Sequence, residues 1–162
     1  MRGPTPIAAL IIGDELLTGK RQDKHLPHVI ETLARRGLVL DAVHYLGDDR
    51  PRLTALLRDS FARGDIVFSF GGIGATPDDH TRQAAAAALD VPLQRHPEAV
   101  ASIEQQFGDA AYPHRVLMAE FPAGATKRTL CSRKPIAVPW KYIPSGAPMI
   151  AAVSIPCRMR PP

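Results

Sequence analysis

A chain of 162 residues has room for one domain with a real core, and 45% apolar against 22% charged residues is the balance of an ordinary globular protein. No apolar run approaches the roughly 18 residues of a membrane span. The short run Ile7 to Ile12 ends in Gly-Asp-Glu without a small-residue cleavage site, so neither a membrane helix nor a signal peptide is expected. Two cysteines, Cys131 and Cys157, argue against a disulfide scaffold and make the cytoplasm the expected compartment. The net charge of +4 hides an asymmetry: from Thr126 onward there are seven basic residues and no acid, leaving 13 basic against 16 acidic residues before it. The high pI thus belongs to the tail, and a nucleic-acid surface on the body is not expected.

Taken in order, Ile7 to Ile12 reads as a first strand buried on both faces of a parallel sheet. It ends in Gly13-Asp14-Glu15-Leu16-Leu17-Thr18-Gly19, a turn with two carboxylates. From about Asp23 to Arg36, Leu26, Val29, Ile30 and Leu33 recur at helical spacing, with Pro27 in the first turn and Gly37 as the stop. Leu38 to Tyr45 reads as a second strand. Gly47-Asp48-Asp49 follows, one aspartate capping a helix with Pro51 in its first turn, an apolar stripe of Leu53, Leu56, Leu57 and Phe61, and Gly64 at its end. The other aspartate is left for chemistry.

Ile66 to Phe70 reads as the central strand, followed at once by glycines 71, 72 and 74. Thr76, Asp78 and Asp79 then offer caps for a helix running through Arg82 and alanines 84 to 88. Strand, glycine loop and capped helix aim backbone N–H groups at an anion. Carboxylates at the helix mouth repel a bare phosphate, so the combination points to a phosphate-bearing ligand handled with Mg2+. A tight turn before a capped helix is the plainer reading of the same residues. For Asp14 and Glu15, chemistry and a solvated turn stand even. Val91 to Leu93 has no clear assignment. Pro97 to Phe107 is a further helix stopped by Gly108, and Val116 to Met118 is a short strand or a helix end before Phe121-Pro122-Ala123-Gly124-Ala125. Alternating strands and helices predict an α/β sheet covered on both faces, with ligands at the strand C-terminal edge. His25 and His28 read as a solvated helix face and His80 has no partner at ligand spacing, so no zinc site is expected. The cysteines have no histidine partner or paired motif, so no catalytic thiol is expected either.

Three segments agree in order and spacing: Ile12-Gly13-Asp14-Glu15-Leu16-Leu17-Thr18-Gly19, Gly47-Asp48-Asp49, and the run from Gly71 to Thr81. Over residues 7 to 125 the chain resembles the MoaB/Mog (molybdenum-cofactor biosynthesis, molybdopterin-binding) domain, and within it the CinA amino-terminal type with its Gly-Asp-Glu-Leu-Leu-x-Gly opening. The resemblance implies a three-layer α/β/α fold with a mostly parallel sheet, in a trimer or dimer. It implies a pterin or nucleotide ligand, with Asp48 and Asp79 as the catalytic, Mg2+-binding pair. Gly13, Asp14, Glu15, Gly71, Gly72, Gly74, Thr76, Asp78 and Thr81 would line the ligand. Mog-type members adenylate molybdopterin with ATP and Mg2+; CinA-type relatives suggest cleavage of a nucleotide pyrophosphate such as ADP-ribose. A non-catalytic binding module, or an inactive truncated homologue, is the third possibility. After Pro122, Gly124 and Ala125 the family's asparagine-glycine loop and Pro-Gly-x-Pro turn are not legible, and Pro144-Ser145-Gly146-Ala147-Pro148 is a faint echo. That break coincides with the change of composition at Thr126. The expectation is that residues 126 to 162 come from a shifted frame or are otherwise aberrant; the alternative is a divergent basic tail.

Overall fold

The fold is given by a computed structural model that describes residues 5–127, 140–142 and 150–152. Strand β1 (Ile7–Ile12) is buried at all six positions. Side chains alternate across a strand, so this one segment feeds two cores. Leu10 and Ile12 join Leu53, Leu57, Val67 and Ile103 on one face. Ile7, Ala9 and Ile11 join Val29, Leu33 and Phe70 on the other. The second face is covered by α2 (His25–Ala34). The first is covered by α3 (Arg50–Arg63), α4 (Thr81–Leu89) and α5 (Pro97–Phe107).

The main sheet also contains β2 (Ala42–Leu46), β3 (Ile66–Phe70), β6 (Ala125–Lys127), β7 (Trp140–Tyr142) and β8 (Ile150–Ala152), in the order β2-β1-β3-β8-β7-β6. The pairs from β2 to β8 are parallel, and β7 is antiparallel to both of its neighbours. A separate antiparallel pair joins β4 (Leu93–Arg95) to β5 (Glu120–Pro122). This is the expected three-layer α/β/α arrangement on a mostly parallel sheet. No helix among the described residues is long and apolar enough to cross a membrane.

Local chemistry sets most boundaries. Asp49 caps α3 by accepting the Arg52 amide at 2.9 Å, Pro51 sits in the first turn, and Gly64 closes the helix in the left-handed region at φ 82°. The Asp23 carboxylate takes the amides of His25 (2.8 Å) and Leu26 (3.1 Å), so α2 starts two residues later than expected. Its buried stripe is narrow: Val29 and Leu33 face the sheet, whereas Ile30 is 49% exposed. The second strand begins at Ala42 and not at Leu38, because Asp41 anchors the strand entry. Its carboxylate accepts the Ile7 amide at 2.7 Å, and its own amide donates to the Ile7 carbonyl at 2.8 Å. The first turn contains one helical turn, α1 (Asp14–Leu17). The unassigned segment near Val91 leads into β4, and residues 116–118 belong to a 3-10 segment, Arg115–Ala119. His25 is not a solvated residue: its ring packs 5.3 Å from that of Phe70 and contacts Asp23.

The composition break at Thr126 falls within β6, and β7 and β8 lie beyond it. Strand β8 pairs with β3, placing Ile150, Ala151 and Ala152 beside Val67, Phe68 and Ser69. Cys131, Cys157 and the Pro144–Pro148 segment lie outside the described residues.

Candidate functional site

The register brings three turns to one edge. Ile12 lies opposite Leu46, and Ile11 opposite Phe70, so β1, β2 and β3 end level. Gly13–Glu15, Gly47–Asp48 and the 71–76 loop therefore stand side by side at the strand C-termini, where open parallel sheets bind ligands.

The two acidic turns hold each other. The Asp14 amide donates to Asp48 Oδ2 at 3.1 Å, and the Asp48 amide donates to Asp14 Oδ1 at 3.2 Å. Gly47 makes this possible, since a Cβ there would sit 2.2 Å from Asp14 Oδ1. The Gly13 amide is spent on the Leu46 carbonyl at 2.9 Å. Burial raises the Asp48 pKa, and the charges of Asp14, Glu15 and Asp78 push it further up, against the lowering effect of the Asp14 amide. Four of the expected acids thus share one negative field. Glu15 is partly balanced by Arg21 at 3.5 Å.

The glycine loop is built differently. Four consecutive carbonyls turn toward the start of α4. Gly71 O accepts the Thr81 hydroxyl (2.9 Å), and Gly72 O accepts the Thr81 amide (3.0 Å). Ile73 O and Gly74 O accept the two terminal nitrogens of Arg82, each at 2.7 Å. In a trans peptide the N–H points opposite to the preceding C=O. The amides of Gly72, Ile73, Gly74 and Ala75 therefore face away from α4, and none has a hydrogen-bond partner among the described residues. Gly71 is required at its position, with φ 93° and with Ile12 O only 2.2 Å from where a Cβ would be.

Three expectations change here. No side chain among the described residues caps α4; His80 stands at its N-cap position without a capping bond. Asp79 instead binds back into the loop, its Oδ2 accepting the Thr76 amide at 2.8 Å and also the Thr76 hydroxyl. The Thr81 side chain is buried under the loop, which it supports without facing the ligand edge. Asp78 is exposed. Among the described residues, no three His, Cys, Asp or Glu side chains are grouped as metal ligands.

Sequence reading missed an open groove of roughly 980 Å³ along the loop. Residues 73–77 form one wall, and Phe107, Tyr112, His114, Arg115 and Met118 form the other. The Arg115 guanidinium lies 4.7 Å over the Phe107 ring and donates to the Ala110 carbonyl at 2.7 Å. Tyr112 donates to Glu104 at 2.6 Å. Phe107 at the end of α5 and Arg115 at the start of the 3-10 segment Arg115–Ala119 meet across the short 3-10 segment Gly108–Ala111, and no local motif marks this wall.

Comparison with known proteins supports the same assignment. The family described as probable molybdopterin binding domain matches residues 8–155, across the composition break. A CinA-like protein of Anaeromyxobacter sp. (strain Fw109-5) is 38% identical over 125 residues, covering 75% of this chain and 30% of that protein. The chain thus spans less than a third of the length of the first curated relatives it matches. The solved structure of CinA, of unknown function, from Thermoplasma acidophilum superposes with a TM-score of 0.80 at 23% identity, covering 94% of this chain and 89% of that one. The molybdopterin biosynthesis enzyme MoaB from Thermus thermophilus shares the fold at a TM-score of 0.56 and 18% identity, covering 93% and 80%. With its sheet edge, its loop and most of its length matched, the chain belongs to the molybdopterin-binding (MoaB/Mog) domain family and has CinA-like proteins among its relatives.

Proposed function

We propose that this domain binds a phosphorylated pterin or nucleotide across the sheet edge, with its phosphates on the amides of residues 72–75 and a Mg2+ beside them. The observation that carries the reading is the meeting of unpaired amides and mutually repelling carboxylates at one edge. Asp14 and Asp48 each have one oxygen engaged by the other's amide, leaving Asp14 Oδ2 and Asp48 Oδ1 for a cation. Asp79 keeps Oδ1, since Thr76 occupies Oδ2. Mg2+ needs only one or two protein carboxylates when phosphates and waters complete its shell, so these residues suit it. When bound, it neutralises charge on the phosphate oxygens. The loop amides orient the phosphates, and the apolar groove wall receives the ring system of the ligand.

Molybdopterin is the ligand that family membership favours. Cleavage of a nucleotide pyrophosphate such as ADP-ribose is the second reading, which rests on the CinA-type resemblance and on the CinA-like proteins among the relatives. Exposed apolar residues on and between α2 and β2, namely Ile30, Leu38, Val39 and Val43, support self-association as a dimer or trimer. We place the protein in the cytoplasm.

Calorimetric titration with molybdopterin, and separately with ADP-ribose plus Mg2+ while following AMP release, tests this. Pterin binding without AMP release supports the first reading; AMP release from ADP-ribose selects the second. Binding without turnover of any substrate, including molybdopterin with ATP, leaves a binding module. Absence of binding to either ligand overturns the proposal.

A further inference from the structure

Arg82 is 3% exposed, yet no carboxylate lies within ion-pair distance of it among the described residues. Its terminal nitrogens go to the carbonyls of Ile73 and Gly74, and Nε is buried without a partner. Burying a guanidinium without a paired charge is costly, and two carbonyl bonds offset only part of that cost. Burial accordingly lowers the Arg82 pKa, with Asp79 and Glu120 acting in the opposite sense from farther away. The two bonds do something that a single donor cannot. They fix two successive peptide planes at once, through the rigid fork geometry of the guanidinium.

We propose that Arg82 is the positioning residue of the anion site: its fork turns the Ile73 and Gly74 carbonyls inward, and so presents the Gly74 and Ala75 amides, above a buried positive charge, to the phosphate of the ligand. This rests on the phosphate reading of the loop given above. Thr81 performs the matching task for Gly71 and Gly72, but without charge. Thr76, the next residue, is held by Asp79, so the outward-facing amides end at Ala75.

The test follows backbone amide resonances of the whole chain during titration with inorganic pyrophosphate, for wild type and Arg82→Lys. Lysine keeps the charge but offers one point in place of a fork. In wild type the largest shifts are expected at Gly74 and Ala75. In Arg82→Lys, with the sheet amides still at native positions, pyrophosphate is expected to bind at least ~10-fold more weakly, which is about 1.4 kcal/mol, and to leave those two amides unmoved. If a folded Arg82→Lys binds as tightly and shifts the same amides, the role of Arg82 is overturned while the phosphate site stands. If wild type shows no response at residues 72–75, the phosphate reading itself falls and the proposal falls with it. Should Arg82→Lys not fold, the wild-type side chain decides. Arg82 Nη resonances that move with pyrophosphate support the inference, and silent ones beside moving Gly74 and Ala75 amides overturn it.

Discussion

The acidic turns and the glycine loop lie at the same sheet edge and are both short glycine-bearing connections, yet they use their backbone in opposite ways. In the acidic turns the amides of Gly13, Asp14 and Asp48 are consumed internally, and carboxylate oxygens remain free. In the loop the carbonyls are consumed, by Thr81 and Arg82, and the amides remain free. One connection is left rich in acceptors and suits a cation; the other is left rich in donors and suits an anion. The anchoring differs as well. The loop is tied to the buried start of α4, whereas the carboxylates of Asp14 and Asp48 hold only each other's turn, at a half-exposed edge. A metal–phosphate pair is the ligand chemistry that satisfies both halves.

The largest expected effect comes from removing residues 128–162, which takes away β7 and β8 and leaves β3 without its partner on one edge along Val67–Ser69. Strand β3 carries the glycine loop, so this deletion should loosen the loop before the acidic turns. A stability loss of about 3 kcal/mol or more is expected by denaturant titration. An unchanged unfolding midpoint would instead make the composition break at Thr126 a true domain boundary. Gly71→Ala is next: a Cβ at φ 93° against Ile12 O should cost about 3 kcal/mol, read as a thermal midpoint lowered by roughly 10 °C.

Thr81→Val keeps the shape but removes the hydroxyl that binds Gly71 O, leaving that carbonyl unpaired. A loss of about 1–2 kcal/mol is expected, together with weaker pyrophosphate binding, because the loop is no longer held at its first peptide. Unchanged binding at lowered stability would show that the Arg82 end of the loop suffices. The smallest effect on stability, and one of opposite sign, belongs to Asp48→Asn. The folded state raises the Asp48 pKa, so it holds that proton more tightly than the unfolded chain does. Stability from this source is full below the unfolded value of roughly 4 and is lost as pH rises through the raised folded value. Asparagine keeps an oxygen for the Asp14 amide without the charge. The variant should therefore lack that pH-dependent loss and match or exceed wild type at pH 7 by up to about 1 kcal/mol. It should also lose any Mg2+-dependent part of ligand binding. A destabilised Asp48→Asn would mean that the charge helps to hold the two turns together.

Much of the scaffold was legible because its signals are local. The unbroken apolar run at Ile7–Ile12, the Asp49 and Pro51 start of α3 and the glycine stops at Gly64 and Gly108 act within a few residues of themselves. The late start of the second strand was not legible, because it depends on Asp41 reaching back to Ile7. The cap expected on α4 failed for a similar reason: Asp79 accepts the Thr76 amide and hydroxyl in the loop and caps no amide of α4. Ile30 belongs to a good helical stripe, but how much of that stripe is buried depends on the width of sheet beneath α2.

The sequence by itself determined most of the strands and helices between Ile7 and Phe107, and that two acidic turns and a glycine loop follow strands, because periodicity and capping are properties of neighbouring residues. Only the tertiary structure decided which backbone groups those turns leave free. Asp14 meets Asp48 across 34 residues, Arg82 reaches back under Ile73 and Gly74, and Phe107 with Arg115 closes a groove against the loop. Hydrogen-bond occupancy is settled by which groups the packed sheet and helices bring within about 3 Å, and no local pattern encodes that distance.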